Sequence, residues 1–240
     1  MGVVEACGDG ARRFALGERV GVPWLYSTCG ACAACRRGDE NLCNDACFTG
    51  YHVDGGYATH AVVPEGFAYG LPGGLTDAQA APLLCAGIIG YRALCLADVK
   101  PGDRLGLIGF GASAHIAIQV ARFWGCDVLV FTRSLEHRAL AKALGASWVG
   151  GTDDEPPGLL DRAISFAPAG GVIPLALAKL RKGGTLALAG IHLDKIPEMP
   201  YSLLYGEPTL RSVFPPEEAN AALRRLKTSG ISGAGVLRIE

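Results

Sequence analysis

The 240-residue chain has no long hydrophobic run, no block of like charge and few aromatic residues. Its longest apolar stretches, such as 164–166 and 173–180, fall far short of the roughly 20 residues that a membrane-spanning helix needs, so no membrane partner is expected. Charged residues are only 19%, and the formal charge is −1. That balance leaves no basic surface for holding the phosphates of a nucleic acid. Met1-Gly-Val-Val-Glu5 lacks the basic start and apolar core of a signal peptide. With five of the cysteines scattered among apolar neighbours, a reducing cytoplasm is the expected compartment.

What is abundant is cysteine and glycine, nine and 34 residues respectively. Four of the cysteines fall in one short stretch, Cys29-Gly-Ala-Cys32-Ala-Ala-Cys35, closed by Cys43. A Cys-x-x-Cys turn points two sulfurs at one centre, and four thiolates complete a tetrahedron around zinc with no position left open. Such a centre holds structure and performs no chemistry. Three cysteines spaced two apart also open the bacterial iron–sulfur pattern, but that pattern needs a closer fourth cysteine followed by proline, and here Cys43 is followed by Asn44.

Up to about residue 81 the chain reads as short strands and turns, with strands expected over 2–5, 19–22 and 57–63. The first of these has no obvious partner, which suggests residues upstream of it. Beyond about residue 82 helices and strands alternate. A helix capped by Thr76 is followed by helices over 87–98, 113–124, 135–144 and 173–180. Strands are expected over 104–108, 127–132, 163–166, 185–189 and 210–213, with a turn at 181–184. Alternation of this kind means an α/β fold with a parallel sheet covered on both faces.

Between the first of these strands and its helix lies Gly109-Phe-Gly111-Ala112-Ser-Ala114, a G-x-G-x-x-A turn in its required strand–turn–helix context. Gly109 suits the tight turn, Gly111 the approach of backbone amides to a pyrophosphate, and Ala114 the packing of helix on strand. The pyrophosphate would sit at the positive end of the helix, near Ala112. An NAD site usually carries an acidic residue at the end of the second strand. Here that position reads Thr132-Arg133-Ser134, and Asp127 comes too early. A guanidinium flanked by two hydroxyls suits a ribose 2′-phosphate, so NADP is expected over NAD.

Knuckle, glycine turn and their order together resemble the zinc-dependent medium-chain alcohol dehydrogenases. The resemblance rests on Gly17-Glu-Arg-Val20, Trp24 to Cys43, Gly50-Tyr51-x-x-Asp-Gly-Gly-Tyr-Ala58, Cys85-Ala-Gly87, Tyr91, Gly183-Gly-Thr185 and Ala219-Asn-x-Ala-Leu223. It implies a GroES-like, β-rich catalytic lobe over 1–85 and 214–240, and a Rossmann doubly wound sheet over 86–213. It also implies hydride transfer between a small-molecule alcohol or aldehyde and NAD(P), with Cys85 as one ligand of a second, catalytic zinc. The family's other two ligands, a cysteine and the histidine of a Gly-His-Glu motif, are not in the sequence. Neither His52 nor His60 has ligand spacing to Cys85; His115, His137 and His192 read as polar surface or nucleotide-side residues. Ile89 stands where many relatives carry threonine. The C-terminal part is shortened, so strain or rearranged packing is expected around 213–216. An inactive fragment holding one structural zinc and the dinucleotide is the alternative reading, and a homo-oligomer is compatible with either.

Overall fold

A computed structural model describes residues 1–190 and 193–213. It divides into two compact units, one over Met1–Ile88 and the other over Ile89–Val213.

The first unit is built from short antiparallel pieces. β1 (Gly2–Val3), β2 (Arg19–Gly21), β3 (Leu25–Ser27) and α1 (Ala33–Arg36) come first. β4 (Cys47–Phe48), β5 (Tyr69–Gly70) and α2 (Asp77–Ala80) follow. β2 lies between β1 and β5, and β3 pairs with β4. β1 therefore has a partner downstream, contrary to the expectation of an unpaired first strand; Gly2 faces Val20 and Val3 faces Arg19. Backbone donors and acceptors must find partners, and the turn at residues 8–18 folds β2 back to supply them. Glu65 fixes that turn by accepting the amides of Arg12 and Arg13, both at 2.7 Å. Thr76 caps α2 as expected, in a reciprocal capping box with Gln79.

The expected strand over 57–63 does not form. That segment is irregular, and Tyr57 and Val62 are 88% and 89% exposed. Its alternation suits a pleated surface, yet no strand among the described residues lies beside it to complete a ladder. A cavity of about 630 Å³ opens beside the same segment, lined in part by Tyr26, Asp54, Tyr57 and His60.

The second unit begins within α3 (Ala86–Leu96) and continues through β6 (Arg104–Ile108), α4 (Ala112–Phe123), β7 (Asp127–Phe131) and α5 (Leu135–Ala143). β8 (Trp148–Gly150), β9 (Leu160–Ser165), α6 (Val172–Ala178), β10 (Leu180–Leu188) and β11 (Thr209–Ser212) complete it. The six strands form one parallel sheet in the order β11-β10-β9-β6-β7-β8. The order reverses between β6 and β9, which makes their carboxyl ends the switch point of a doubly wound sheet.

Both faces of this sheet are apolar, as a sheet covered on both sides requires. Leu105, Leu107, Leu129, Ile164 and Leu186 are fully buried, and α6 adds Ile173, Ala176 and Leu177 to the core on one side. Gly106 is a tight place in that core, where a Cβ would stand 2.5 Å from Leu160 Cδ1. The expected turn at 181–184 lies inside β10, whose register against β9 shifts between Leu180 and Thr185. β8 escaped the sequence reading because three residues are too few to show a period.

At the amino end of the sheet, Arg104 donates its amide to Asp161 and its Nε to Asp127, both at 2.8 Å. Arg181 also pairs with Asp161. The segment 214–240 expected to belong to the catalytic lobe, with the junction at 214–216, and His192 lie outside the described residues.

Candidate functional site: a four-thiol knuckle and a dinucleotide turn

In the first unit, the four cysteine sulfurs all lie within 4.8 Å of one another. Cys29 Sγ is 3.9 Å from Cys35 Sγ and 3.5 Å from Cys43 Sγ, and Cys32 and Cys35 are 3.5 Å apart. A tetrahedron with metal–sulfur bonds of ~2.3 Å has edges of roughly 3.8 Å, so these spacings suit zinc. The loop reaches this shape because Gly30 and Gly38 take positive φ, +65° and +79°, and because α1 begins on Cys32, whose sulfur accepts the Cys35 amide. The thiols are not equivalent. The Ala31 and Cys32 amides lower the Cys29 thiol to about 7, whereas burial pushes Cys35 up to about 11. The hairpin of β3 and β4 is fastened beside this loop by Trp24 stacked on Phe48, 4.1 Å between centroids.

Cys85 follows a short 3₁₀ turn over Ala81–Leu84. Its side chain keeps solvent contact, although apolar surroundings raise its thiol above the ordinary value. Among the described residues no group of three metal ligands includes it. The described residues alone therefore do not complete a second zinc site. His52 and His60 are occupied elsewhere: His52 Nδ1 accepts the Phe48 amide at 3.1 Å, and His60 Nε2 lies 2.9 Å from Glu5.

In the second unit the glycine turn sits where β6 ends. Gly109 has φ +82°, donates its amide to Phe131 O at 2.8 Å, and packs so closely on the segment just after β9 that a Cβ would stand 2.9 Å from the Ala167 nitrogen. Gly111 caps α4 with ordinary φ of −89° and no side-chain cap. A Cβ there would meet nothing within 4 Å, so the space over the first-turn amides of Ala112, Ser113 and Ala114 is open. Ala114 is fully buried against the sheet, as the turn requires. An open cradle with unpaired amides at a helix N-terminus fits a pyrophosphate.

At the end of β7 the three expected residues separate in role. Thr132 is buried, and its carbonyl accepts Arg138 Nε at 2.8 Å. Ser134 caps α5, its hydroxyl accepting the His137 amide. Arg133 is exposed, and among the described residues it makes no hydrogen bond or ion pair. His115 is a correction to the sequence reading. It is not surface but 1% exposed, in the first turn of α4. Its signal was a polar residue inside an otherwise apolar helix, four residues before a second one, Gln119.

Residues 1–73 match the family model of the alcohol dehydrogenase GroES-like domain, and residues 114–228 match that of the zinc-binding dehydrogenase. The chain belongs to the zinc-dependent medium-chain alcohol dehydrogenases. It is similar to a probable alcohol dehydrogenase of Mycobacterium tuberculosis, 46% identical over 94% of this chain and 73% of the relative. An alcohol dehydrogenase of Geobacillus stearothermophilus is 36% identical over 82% of this chain, which spans only 60% of that enzyme's length. Among solved structures it resembles a cinnamyl alcohol dehydrogenase of Sorghum bicolor, with TM-score 0.85 and 28% identity over 94% of this chain and 68% of that one. A further match is the Helicobacter pylori enzyme called CAD, complexed with NADP(H), with TM-score 0.82 and 25% identity over the same shares. This family membership supplies zinc and a nicotinamide dinucleotide as cofactors. No single helix among the described residues is long and apolar enough to cross a membrane.

Proposed function

We propose that the chain carries the zinc- and dinucleotide-binding parts of an alcohol dehydrogenase that interconverts a small alcohol and its aldehyde, and that it prefers NADP. The observation that carries this reading is the open N-terminus of α4 at the sheet's switch point, one strand away from the unengaged guanidinium of Arg133. When bound, the dinucleotide supplies the hydride acceptor or donor.

The chain's own residues bind and orient. The amides of Ala112 to Ala114 hold the pyrophosphate, and Gly111 leaves room for it. Arg133 pairs with a ribose 2′-phosphate in two-pronged geometry, and no carboxylate at the end of β7 competes for that place. Thr132 and Ser134 shape the loop from which Arg133 projects. The knuckle keeps its region folded without touching substrate, because four thiolates close the coordination sphere. Cys85 is assigned to the catalytic metal by family resemblance alone, and no step is routed through it. The boundaries of the two lobes, 1–85 with 214–240 and 86–213, belong to the same proposal. The NADP(H) named for the Helicobacter structure supports the preference.

Dissociation constants for NADPH and NADH, measured by nicotinamide fluorescence on the zinc-loaded chain, test this directly. Tighter NADPH binding is expected, and equal or reversed preference refutes the NADP assignment. Alcohol-dependent reduction of NADP, followed by absorbance, tests the reaction; a chain that binds NADPH yet oxidises no primary or secondary alcohol refutes that activity.

A further inference from the structure

The turn that carries Arg133 is anchored on both sides of it, and one anchor is a second arginine. Thr132, buried just past the end of β7, donates its amide to the Gly150 carbonyl at 2.8 Å. Its own carbonyl accepts Arg138 Nε, also at 2.8 Å. Ser134 accepts the His137 amide on its hydroxyl at 3.2 Å and the Arg138 amide on its carbonyl at 3.0 Å. Arg133 lies between these two held residues, exposed and without a hydrogen bond of its own among the described residues.

The helix places Arg138 for this contact. Helical side chains lean toward the N-terminus, so a long one from within α5 reaches back to the carbonyl six residues earlier. The far end of the guanidinium is packed as well, since a Cβ on Gly151, just past β8, would stand 3.3 Å from Arg138 Nη2. Asp154, which also neighbours Gly151, is engaged with the Gly151 amide at 2.7 Å. Arg138 thus directs a charged donor at a neutral backbone carbonyl, a stronger bond than one between two neutral groups. A side chain that must be ordered when its ligand arrives costs affinity, and a turn already fixed avoids that cost. Residues that present a binding group are held in place by such supporting bonds.

We propose that Arg138 is a positioning residue for cofactor choice: by holding the Thr132 carbonyl, it fixes the turn from which Arg133 meets the 2′-phosphate. The inference rests on the NADP reading above. Arg138 acts through the backbone of Thr132 and touches neither phosphate nor base. The donor that matters is the Nε hydrogen, and the charge of the guanidinium is secondary.

The test uses the zinc-loaded 240-residue chain, with NADPH and NADH as probes read by nicotinamide fluorescence. Arg138→Met keeps the stem as far as the Nε position and has no donor there. Arg138→Gln carries an amide nitrogen the same number of bonds from the backbone as Nε, without the charge. Arg138→Met should weaken NADPH roughly three- to ten-fold and leave NADH nearly unchanged, and Arg138→Gln should recover most of the loss. In an Arg133→Ala chain, Arg138→Met should weaken NADPH no further, because the group it positions is gone. Equal weakening of NADPH and NADH makes Arg138 a general structural residue and overturns the inference. A loss that persists undiminished in the Arg133→Ala chain, or that Arg138→Gln does not reduce, makes the guanidinium itself a phosphate contact and also overturns it. Nitrogen relaxation of the Arg133 amide gives a reading without cofactor. That amide should be rigid in the parent and in Arg138→Gln and mobile in Arg138→Met; equal rigidity in all three overturns the inference. Where the parent prefers NADPH and Arg138→Met keeps that preference, the inference alone fails. Where the parent shows no preference for NADPH, the NADP reading fails and this inference with it.

Discussion

The two glycines of the turn do different physical work, and one methyl group at each position separates folding from binding. Gly109 sits at φ +82°, where a non-glycine residue costs about 1–3 kcal/mol. The added Cβ would also stand 2.9 Å from the Ala167 nitrogen and 3.2 Å from its Cα, backbone atoms that no rotamer change can move aside. Taking roughly 2–4 kcal/mol for both effects, and about 2–4 °C per kcal/mol for a chain of this size, Gly109→Ala should lower the melting temperature by roughly 5–15 °C. Gly111 has φ −89° and open space around its Cβ position. Alanine there is unstrained and reduces the freedom of the unfolded chain, a gain of about 0.4–1 kcal/mol. The same methyl occupies the approach of a pyrophosphate to the Ala112–Ala114 amides, so affinity for NADPH should fall about ten-fold or more. Differential scanning fluorimetry and NADPH fluorescence titration read the two effects separately. Equal melting shifts for the two variants, or parent-like NADPH affinity in Gly111→Ala, would refute the division of labour.

Three further outcomes follow from other parts of the chain. Metal analysis should find one zinc held by the knuckle; chelation, or Cys43→Ser, should release it and lower the melting temperature, since freeing a 15-residue loop is worth roughly 3 kcal/mol of chain entropy. Zinc removal without a melting shift would contradict a structural role, and visible charge-transfer absorption would favour iron–sulfur instead. Arg133→Ala should weaken NADPH at least ten-fold and leave NADH nearly unchanged, because only the 2′-phosphate meets the guanidinium; a parallel loss of both would place Arg133 outside the phosphate site. The Ser147 hydroxyl and Arg104 hold Asp127 below its ordinary value, and the Arg104 amide and Arg181 hold Asp161 down against its burial. Folded-state values depressed in this way stabilise above the unfolded carboxylate pKa, near 4, and the benefit is lost as pH falls through the folded values. Asp161→Asn should therefore lower the melting temperature more at pH 7 than at pH 3, and an equal penalty at both would show that charge is not what Asp161 contributes.

The parts of this molecule that were legible in the sequence are those in which a local pattern and a tertiary need coincide. The four cysteines had to converge because their spacing leaves tight turns little choice, and Gly30 and Gly38 take the positive φ that such convergence demands. β6, β7 and α4 were readable because buried parallel strands are continuously apolar and the turn between β6 and α4 has one workable chemistry. Segment 57–63 failed for the opposite reason. Its residues favour a strand, but strand formation is a property of pairs, and the described chain places no partner beside it. β1 misled in the same way, since its partner is set by the turn that returns β2, and nothing in residues 2–5 announces that turn.

His115 is the instructive case. Helical periodicity places it correctly one turn beyond Gly111, and polarity alone sends it to the surface. The structure buries it because α4 is enclosed by α3, the sheet and the α5 side, an enclosure that no single helix records. Consistency across levels is what makes a chain fold to one state, so the position where local polarity and global burial disagree is where a function is most economically sought. The glycine turn satisfies every level at once, and its amides would be found in any strand–turn–helix of this kind. His115 satisfies the fold less readily, because a polar ring is held where the surrounding helix positions are apolar.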